Sequence, residues 1–380
     1  MRALILSVSA GGGHMQASLA LKNYIMQFEP TSYIEVLDTI KYINPLLDKL
    51  IIGSYLQTVK MTPSIFGKIY KFTEKDDGLS SVTNKFNEIM ADKLLPIIDD
   101  YKPDIIICTH PFPTQMVSIL KQKEKLNIPM ICILTDYAPH NTWIHPKVDS
   151  YIVSNSDMKE EMVSRGVDKD AVFDFGIPVS SDFFLEYDRN DVLPELGLDP
   201  LKKTIMIMGG SLGIGKIARV YSQLSKLTTN VQIIVIAGSN KKLYSQLTNL
   251  KEHSTVTTSI LGFSQNINKY MQCSDLLITK PGGLTITEAL ICNVPLALFS
   301  AIPGQEKKNE DFLLRHKLAI TLNDGNNCIE TIETLMSSPK RLQDMKENCK
   351  KFSKPNCGRD IFNLINVIIK KREIAVTTKN

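Results

Sequence analysis

Short runs of apolar, often β-branched residues alternate along the chain with longer stretches in which apolar residues recur at helical spacing. A first series of such runs comprises residues 4–8, 34–37, 104–109, 130–135 and 150–153. A second series comprises residues 204–208, 231–237, 256–261, 276–279 and 296–299. Because strands that alternate with helices form parallel sheets covered by those helices, the pattern predicts an α/β protein with two Rossmann-like sheets.

The stretch between the two series, residues 181–200, is rich in proline, acidic and aromatic residues and is predicted to be a linker. It separates an N-terminal domain, residues 1–180, from a C-terminal domain, residues 201–355. A chain of 380 residues suits two domains of ordinary size. With 43% hydrophobic and 22% charged residues, the composition is that of a globular protein.

Net charge and cysteine content exclude several classes of protein. The net charge of +4 comes without a lysine and arginine tract or an RNA-binding signature, so nucleic acid is not expected as a partner. The 7 cysteines lack a CxxC pair, which indicates neither a disulfide framework nor a zinc ribbon and favours a cytoplasmic location. No run reaches about 18 consecutive apolar residues, so no membrane span is predicted.

One segment of the first domain has the composition of a membrane-docking surface. Residues 41–72 contain five lysines against the single Asp48, and apolar residues such as Ile51, Tyr55 and Val59 recur at helical spacing. A basic amphipathic helix of this kind suits an anionic membrane surface. A solvated helix that packs on its own domain has the same pattern, so both interpretations stay open.

A glycine-rich turn follows the first predicted strand and ends in Gly13 and His14. Glycines let a ligand approach the backbone closely, and a helix N-terminus favours the neutral imidazole that a general base needs. His14 is therefore a candidate base, with Gly13 beside the acceptor. A simple turn histidine is the alternative interpretation.

A second glycine loop follows the first strand of the second domain. The residues from Gly210 to Lys216 spell GxxxxGK, but Ile217 replaces the serine or threonine that holds magnesium in a P-loop. Gly209, Gly210 and Ser211 still suit a diphosphate, because N–H groups at a helix start bind phosphate oxygens without a metal. A plain tight turn would use similar glycines.

Two further polar loops follow predicted strands of the second domain and carry candidate nucleotide ligands. Glu288 suits a ribose diol, although a capping box of Thr285 and Glu288 would explain the same residues. Because parallel strands end at one edge of a sheet, these loops predict a donor-binding edge. The candidates are Lys280, Pro281, Gly282, Gly283, Thr285 and Glu288 in the first loop and Gln305, Glu306 and Asn309 in the second.

Polar and aromatic residues also follow two predicted strands of the first domain and are candidates for an acceptor pocket. Asp136, His140 and His145 match no familiar spacing of metal ligands, so a metal is not expected there. The only DxD, residues 168–170, lies in a charged, turn-prone setting typical of a solvated loop. Trp143 could contact the acceptor, and the alternative interpretation is that it is simply buried in the core. The acceptor candidates are His110, Tyr137, His140 and Trp143.

Seven motifs in order along the chain resemble those of the bacterial processive diacylglycerol glucosyltransferases. They are also similar to those of the plant monogalactosyldiacylglycerol synthases and, more distantly, of the lipid-linked N-acetylglucosaminyl transferase of peptidoglycan synthesis. The resemblance spans residues 1–370. The motifs are GGGHMQAS, HPFPTQ, TDYAPHNTW, MGGSLGIGK, LGF, SDLLITKPGGLTITEAL and PGQEKKNEDFL.

This resemblance implies a GT-B fold, in which the two domains face each other across a cleft. It implies a UDP-sugar donor in the C-terminal domain, a diacylglycerol-type lipid in the N-terminal domain and inversion at the anomeric carbon, with no cofactor and no essential metal. It also implies a C-terminal helix, residues 356–372, that completes the N-terminal domain. The expected enzyme is peripheral on the inner face of the cell membrane and adds a hexose, with glucose favoured and repeated addition left open.

The resemblance also implies roles for individual residues. His14 matches the histidine that activates the acceptor hydroxyl and Asp136 an acid in the same site, and which of them is the immediate base is open. The backbone of Phe263 matches the position that meets uracil, and Glu288 the ribose ligand. The remaining donor positions match ligands of the diphosphate or the sugar: Gly209, Gly210 and Ser211, then Gln305, Glu306 and Asn309.

Three rival functions fit parts of the same pattern. Galactose or N-acetylglucosamine transfer to another lipid would use the same loops. Epimerisation of a UDP-sugar on the same fold would need no acceptor. A sensor that binds the UDP-sugar without turnover would keep the donor loops and dispense with the base.

Overall fold

The computed structural model describes residues 1–9, 12–44, 81–210, 213, 216–299, 301, 303–322 and 328–377. They divide into two compact units. The first unit comprises Met1–Ser180, Pro303–Gln305 and Lys354–Asn380, and the second Ser181–Ile302 and Glu306–Ser353. The basic segment 41–72 lies outside the described residues from residue 45 onward. Within the described ranges, no helix is both long and apolar enough to cross a membrane.

The first unit is built on a parallel sheet in the order β2-β1-β3-β4-β5-β6. Its central strands are continuous apolar runs because helices cover both faces of the sheet. All five runs predicted for this half are confirmed as strands, with ends that differ by two residues at most. The strands are β1 (Arg2–Ser7), β2 (Tyr33–Asp38), β3 (Ile105–Cys108), β4 (Met130–Ile133), β5 (Ser150–Ile152) and β6 (Val172–Phe173).

Helices of the first unit connect these strands and bury their apolar faces against the sheet. Leu21 and Ile25, for example, pack on Ala3 and Ile5 of β1. The helices are α1 (Gly13–Phe28), α2 (Thr39–Ile43), α3 (Ser81–Asp92), α4 (Leu95–Tyr101), α5 (Pro111–Gln122) and α6 (Ser156–Ser164).

The second unit repeats the plan with a parallel sheet in the order β12-β11-β10-β7-β8-β9. The five runs predicted for this half are confirmed as strands. The sequence prediction missed β12, which has only three residues and follows a run of charged side chains. The strands are β7 (Lys203–Met208), β8 (Val231–Ile236), β9 (Thr258–Leu261), β10 (Leu276–Thr279), β11 (Leu296–Leu298) and β12 (Ala319–Thr321).

Residues 181–200, expected as a linker, contain secondary structure that packs within the second unit. Arg189 donates to Asp275 Oδ2 over 3.1 Å, and Asn268 donates to the carbonyl of Asp182 over 3.0 Å. The helices of this unit are α7 (Arg189–Glu195), α8 (Ile217–Leu224), α9 (Lys241–Lys251), α10 (Ile267–Gln272), α11 (Gly283–Ile291), α12 (Gln305–Arg315), α13 (Cys328–Met336) and α14 (Pro339–Phe352).

The last helix, α15 (Cys357–Thr377), belongs to the first unit, and its Ile361 and Ile365 join the core beside α1. Gly358 permits this close packing. A β-carbon at position 358 would lie 2.4 Å from Cγ of Tyr24, which is too close for any larger residue without movement of the ring.

Candidate active site

Two histidine candidates of the first unit follow β1 and β3, the strands at which the strand order of the sheet reverses. Strand β1 pairs with β2 on one side and with β3 on the other. His14 lies in the first turn of α1, which follows β1, and His110 lies two residues after the end of β3. Ligands of open parallel sheets bind at the carboxyl ends of strands at such a reversal. The topology therefore brings two histidines from distant parts of the sequence to one ligand-binding edge.

The imidazole of His14 is enclosed by three side chains from two loops, one after β3 and one after β4. Its Nδ1 lies 2.6 Å from Oγ1 of Thr135. The ring meets that of His110 edge-on at a centroid distance of 4.7 Å, and the ring of Trp143 lies at 6.2 Å. Burial lowers the pKa of His14 to about 4, against the opposing effect of a hydrogen bond with the Thr109 backbone. The imidazole is thus neutral at pH 7, the form that accepts a proton.

Three fully buried hydroxyl groups hold the backbone of His14 in place. Oγ1 of Thr109 lies 2.8 Å from Oγ of Ser18 and 2.9 Å from Oγ of Ser7. Both Ser18 and Thr109 donate to the carbonyl of His14, over 3.0 and 3.2 Å. This cluster ties the first turn of α1 to the ends of β1 and β3. The sequence prediction missed these hydroxyls. A serine or threonine at the end of each of the two strands was the feature that could have indicated them.

His110 and His140 each cap a helical turn with Nδ1. His110 Nδ1 accepts from the N–H of Phe112 over 3.1 Å, and burial, followed by the nearby His14, lowers the pKa of His110. His140 Nδ1 accepts from the N–H of Thr142 over 3.2 Å, and only 3% of the residue is exposed. His140 thereby orients the short turn that carries Trp143.

The other acceptor candidates differ in their access to the ring cluster. Trp143 is 2% exposed and packs in a core cluster with Leu134 and Tyr151, while its ring also faces His14. Tyr137 is buried. Asp136 is partly buried and follows Thr135 directly, and Gly13 is the first residue of α1. His14, His110 and Trp143 form the cluster, and Tyr137 and His140 lie within its supporting core.

Metal binding was not expected in this unit. Among the described residues, no group of three or more His, Cys, Asp or Glu side chains is arranged to hold a metal ion. The DxD aspartates lie in a short helical turn, where Oδ1 of Asp168 accepts from the exposed N–H of Asp170 over 3.0 Å. A hydrogen bond that shapes a surface turn accounts for this pair.

Two donor loops of the second unit follow β7 and β10, the strands at which the order of this sheet reverses, because β7 pairs with both β10 and β8. Gly209 and Gly210 come directly after β7, and Gly210 has a φ of 73°. Gly213 has a φ of 56°, and a β-carbon there would lie 2.2 Å from the carbonyl oxygen of Ala237. The loop is therefore pressed against the end of β8 and admits only glycine at position 213. Ser211 lies outside the described residues.

Lys280 extends from the end of β10 beside this glycine loop. Its Cε would lie 3.9 Å from a β-carbon at Gly210, and its Nζ lies 2.5 Å from Oε1 of Glu306. The two side chains of this ion pair are 24% and 14% exposed. A cation is thus held next to the backbone that is predicted to bind diphosphate.

Asn309 supports the loop after β10 from the interior. It is fully buried, and its Nδ2 donates to the carbonyl of Pro281 over 3.0 Å. Gln305 and Glu306 form the first turn of α12, one turn before Asn309. In this structure Asn309 acts on the backbone of the loop, and Glu306 acts on Lys280.

Glu288 lies on α11, one turn beyond the glycines of the same loop. The capping-box alternative is wrong, because α11 begins after Gly282, which makes no side-chain cap, and Thr285 is already its third residue. Glu288 has no hydrogen-bond partner among the described residues, and burial raises its pKa to about 8. An uncompensated carboxyl group in this position suits the hydroxyl donors of a diol. Phe263 is 66% exposed after β9, two strands away from β7.

Two protein-family models match the chain in series. The model for monogalactosyldiacylglycerol (MGDG) synthase matches residues 14–179. The model for the glycosyltransferase family 28 C-terminal domain matches residues 204–359. The two matches therefore fall on the parts of the chain that form the two sheets.

Similar proteins span nearly the whole length of the chain. A processive diacylglycerol beta-glucosyltransferase of Staphylococcus saprophyticus is 30% identical over 371 residues, which are 96% of this chain and 93% of that protein. Another of that name, from Bacillus pumilus, is 30% identical over 352 residues, 91% of this chain and 90% of that protein. The crystal structure of MurG from Acinetobacter baumannii matches with a TM-score of 0.64 at 14% identity, over 96% of this chain and 99% of that one.

Proposed function

We propose, from the premise that the chain belongs to the family of processive diacylglycerol beta-glucosyltransferases, that it transfers glucose from UDP-glucose to diacylglycerol. The observation that carries this proposal is the chemistry at the two strand-order reversals. One holds a neutral imidazole in a cluster of aromatic rings, and the other holds a glycine loop, a lysine and an unpaired carboxyl group. The first suits activation of an alcohol, and the second suits a nucleoside diphosphate.

The donor is bound through its diphosphate and its ribose. Backbone N–H groups of Gly209 and Gly210 and the ammonium of Lys280 meet the phosphate oxygens, and Glu288 accepts hydrogen bonds from the ribose hydroxyls. Charge that develops on the departing UDP is stabilised by these fixed donors, which makes a metal ion unnecessary for the reaction.

The acceptor hydroxyl loses its proton to His14 as its oxygen forms a bond to the anomeric carbon. The bond from that carbon to the diphosphate oxygen breaks, and UDP leaves with the electron pair. Attack from the side opposite UDP inverts the anomeric carbon and gives a β-glucoside. The new sugar offers further hydroxyl groups, so the product can be an acceptor again, as the name of the similar proteins describes.

The acceptor is a membrane lipid, so the enzyme works at the inner face of the cell membrane as a peripheral protein. The lysine-rich composition of residues 41–72 supports attachment to anionic lipid. Each lysine near such a surface adds roughly 1 kcal/mol to binding, and attachment is expected to weaken with salt.

The product of the reaction tests this proposal. The purified enzyme is incubated with diacylglycerol in vesicles and with UDP-glucose, UDP-galactose or UDP-N-acetylglucosamine. The masses of the lipid products are then measured by mass spectrometry. We expect one or more hexoses on diacylglycerol with UDP-glucose, and an anomeric proton coupling typical of a β-linkage. If a product formed only with UDP-galactose or UDP-N-acetylglucosamine, the proposed donor sugar would be wrong. Binding of UDP-glucose without release of UDP, or a changed sugar nucleotide without acceptor, would overturn the transfer.

A further inference from the structure

We propose that Thr135 is a positioning residue that fixes the orientation and the tautomer of His14. This inference rests on the proposed role of His14 as the base. Thr135 Oγ1 lies 2.6 Å from Nδ1 of His14, and Thr135 is 4% exposed. It begins the motif TDYAPHNTW and lies two residues after β4, and the sequence prediction did not name it as a ligand.

The sheet holds Thr135 rigidly in this place. Strand β4 pairs with β3 through Cys108 and Cys132, and the N–H of Leu134 donates to the carbonyl of Ile152 over 2.9 Å. Thr135 therefore follows a segment that is bonded to its neighbours on both sides. A hydroxyl on so rigid a backbone can define the plane of an adjacent ring, because the ring has no other side-chain hydrogen bond among the described residues.

In the part of the chain that the structure describes, no other side chain around His14 selects between its two neutral tautomers. His110 presents its ring edge-on, and its Nδ1 is already bonded to the N–H of Phe112. Trp143 contacts the imidazole as an aromatic ring only. The backbone carbonyl of Thr109 accepts hydrogen bonds and so favours a ring N–H. Thr135 is the side chain that engages one specific ring nitrogen.

The base role of His14 decides the direction of this hydrogen bond. Since Nδ1 faces Thr135, the base role requires Nε2 to face the acceptor hydroxyl. Nε2 takes up a proton only if it carries a lone pair, so Nδ1 must hold the hydrogen and donate it to Oγ1 of Thr135. When His14 becomes an imidazolium during transfer, the same hydrogen bond stabilises its positive charge.

Thr135→Val removes the hydroxyl while keeping the shape of the side chain, and Thr135→Ser keeps the hydroxyl. Thr258→Val is the matched control, because Thr258 is a buried threonine of β9 that bonds to the carbonyl of Val256. We expect Thr135→Val to lower kcat by about 10- to 100-fold, the range for a lost hydrogen bond to an ionising group. We expect KM for the UDP-sugar to stay unchanged, and Thr135→Ser and Thr258→Val to stay near the parent enzyme.

The tautomer is read directly by long-range proton–nitrogen NMR of the full chain labelled with 15N-histidine, with the His14 signals assigned from their loss in His14→Ala. We expect the parent enzyme at pH 7 to show the Nδ1–H form and Thr135→Val to show a mixture with the Nε2–H form. Thr135→Ala provides a second variant without the hydroxyl should the valine disturb folding. A parent-like tautomer in both variants would overturn the positioning role. Full activity of His14→Ala would show instead that His14 is not the base. That result would contradict the proposed function and is distinct from a failure of the positioning role.

Discussion

Lys280 Nζ lies 2.5 Å from Oε1 of Glu306, and this ion pair joins the loop after β10 to the first turn of α12. Both partners are mostly buried, so each charge stabilises the other. In the proposed donor complex, the phosphate oxygens would be a second set of anionic partners for Lys280. Glu306 holds the lysine beside the glycine loop, where this role requires it.

Replacement of this lysine tests its proposed share in stabilising the leaving group. Lys280→Met is expected to lower kcat by about 10²-fold, as the loss of one preorganised donor does in other enzymes. Lys307→Met is the matched control, because Lys307 is 54% exposed and pairs with Glu310 and Asp311 of its own helix, α12. The measurement is kcat from steady-state kinetics with UDP-glucose. Equal losses of kcat in the two variants would contradict the role of Lys280.

The base is tested by removal of its imidazole. His14→Ala is expected to lower kcat by about 10² to 10⁴, the usual contribution of a general base, with UDP binding preserved. His253→Ala, at an exposed turn of the second unit, serves as the control. Normal turnover by His14→Ala would assign proton abstraction to another group, with Asp136 the first to examine.

If Glu288 binds the ribose as proposed, donor binding is coupled to proton release. Burial raises its pKa to about 8, so the free enzyme holds this carboxyl group mainly protonated at pH 7. Ribose hydroxyls that donate to the group favour the carboxylate and lower its pKa on binding. Calorimetry of UDP binding at pH 7 in two buffers of different ionisation enthalpy should show proton release, and Glu288→Gln should abolish it. Equal proton release in both proteins would place the ribose elsewhere.

The same group makes the free enzyme less stable at high pH. The folded-state pKa of Glu288 lies above the ordinary value of 4.5, so the folded chain holds an extra proton between pH 4.5 and about 8. Its contribution to the free energy of unfolding therefore falls as pH rises through this window. The free energy of unfolding is measured with urea at pH 5, 6.5 and 8. It should fall less across this series in Glu288→Gln than in the parent chain.

Acid should destabilise the first unit through its buried histidines. Burial lowers the pKa of His14 from 6.5 to about 4 and also lowers that of His110. Between these values the unfolded chain binds protons that the folded chain excludes, so stability falls as pH decreases below about 6.5. His110→Asn, which retains an acceptor for the helix cap, should reduce the slope of unfolding free energy against pH. An unchanged slope would contradict the neutral state of His110.

The order of elements and the family were accessible from the sequence alone. Strands buried on both faces are continuous apolar runs, and glycine or polar residues mark where each one ends, so ten strands and two sheets were predicted and confirmed. The ligand-binding role of the loops stays a prediction. The family resemblance is confirmed as well, because its motifs depend on local residue order. The short strand β12 escaped because three residues carry too little periodicity to stand out.

Tertiary structure alone decided how the side chains at those loops are used. The bond between Thr135 and His14, and the hydroxyl cluster of Ser7, Ser18 and Thr109, arise from the pairing of β1, β3 and β4. The inward direction of Asn309 and the raised pKa of Glu288 come from packing around them. Hydrophobic pattern is a local property of the chain and can be read along it. Hydrogen bonding and pKa depend on neighbours that are distant in sequence, and they exist only once the strands have been brought side by side.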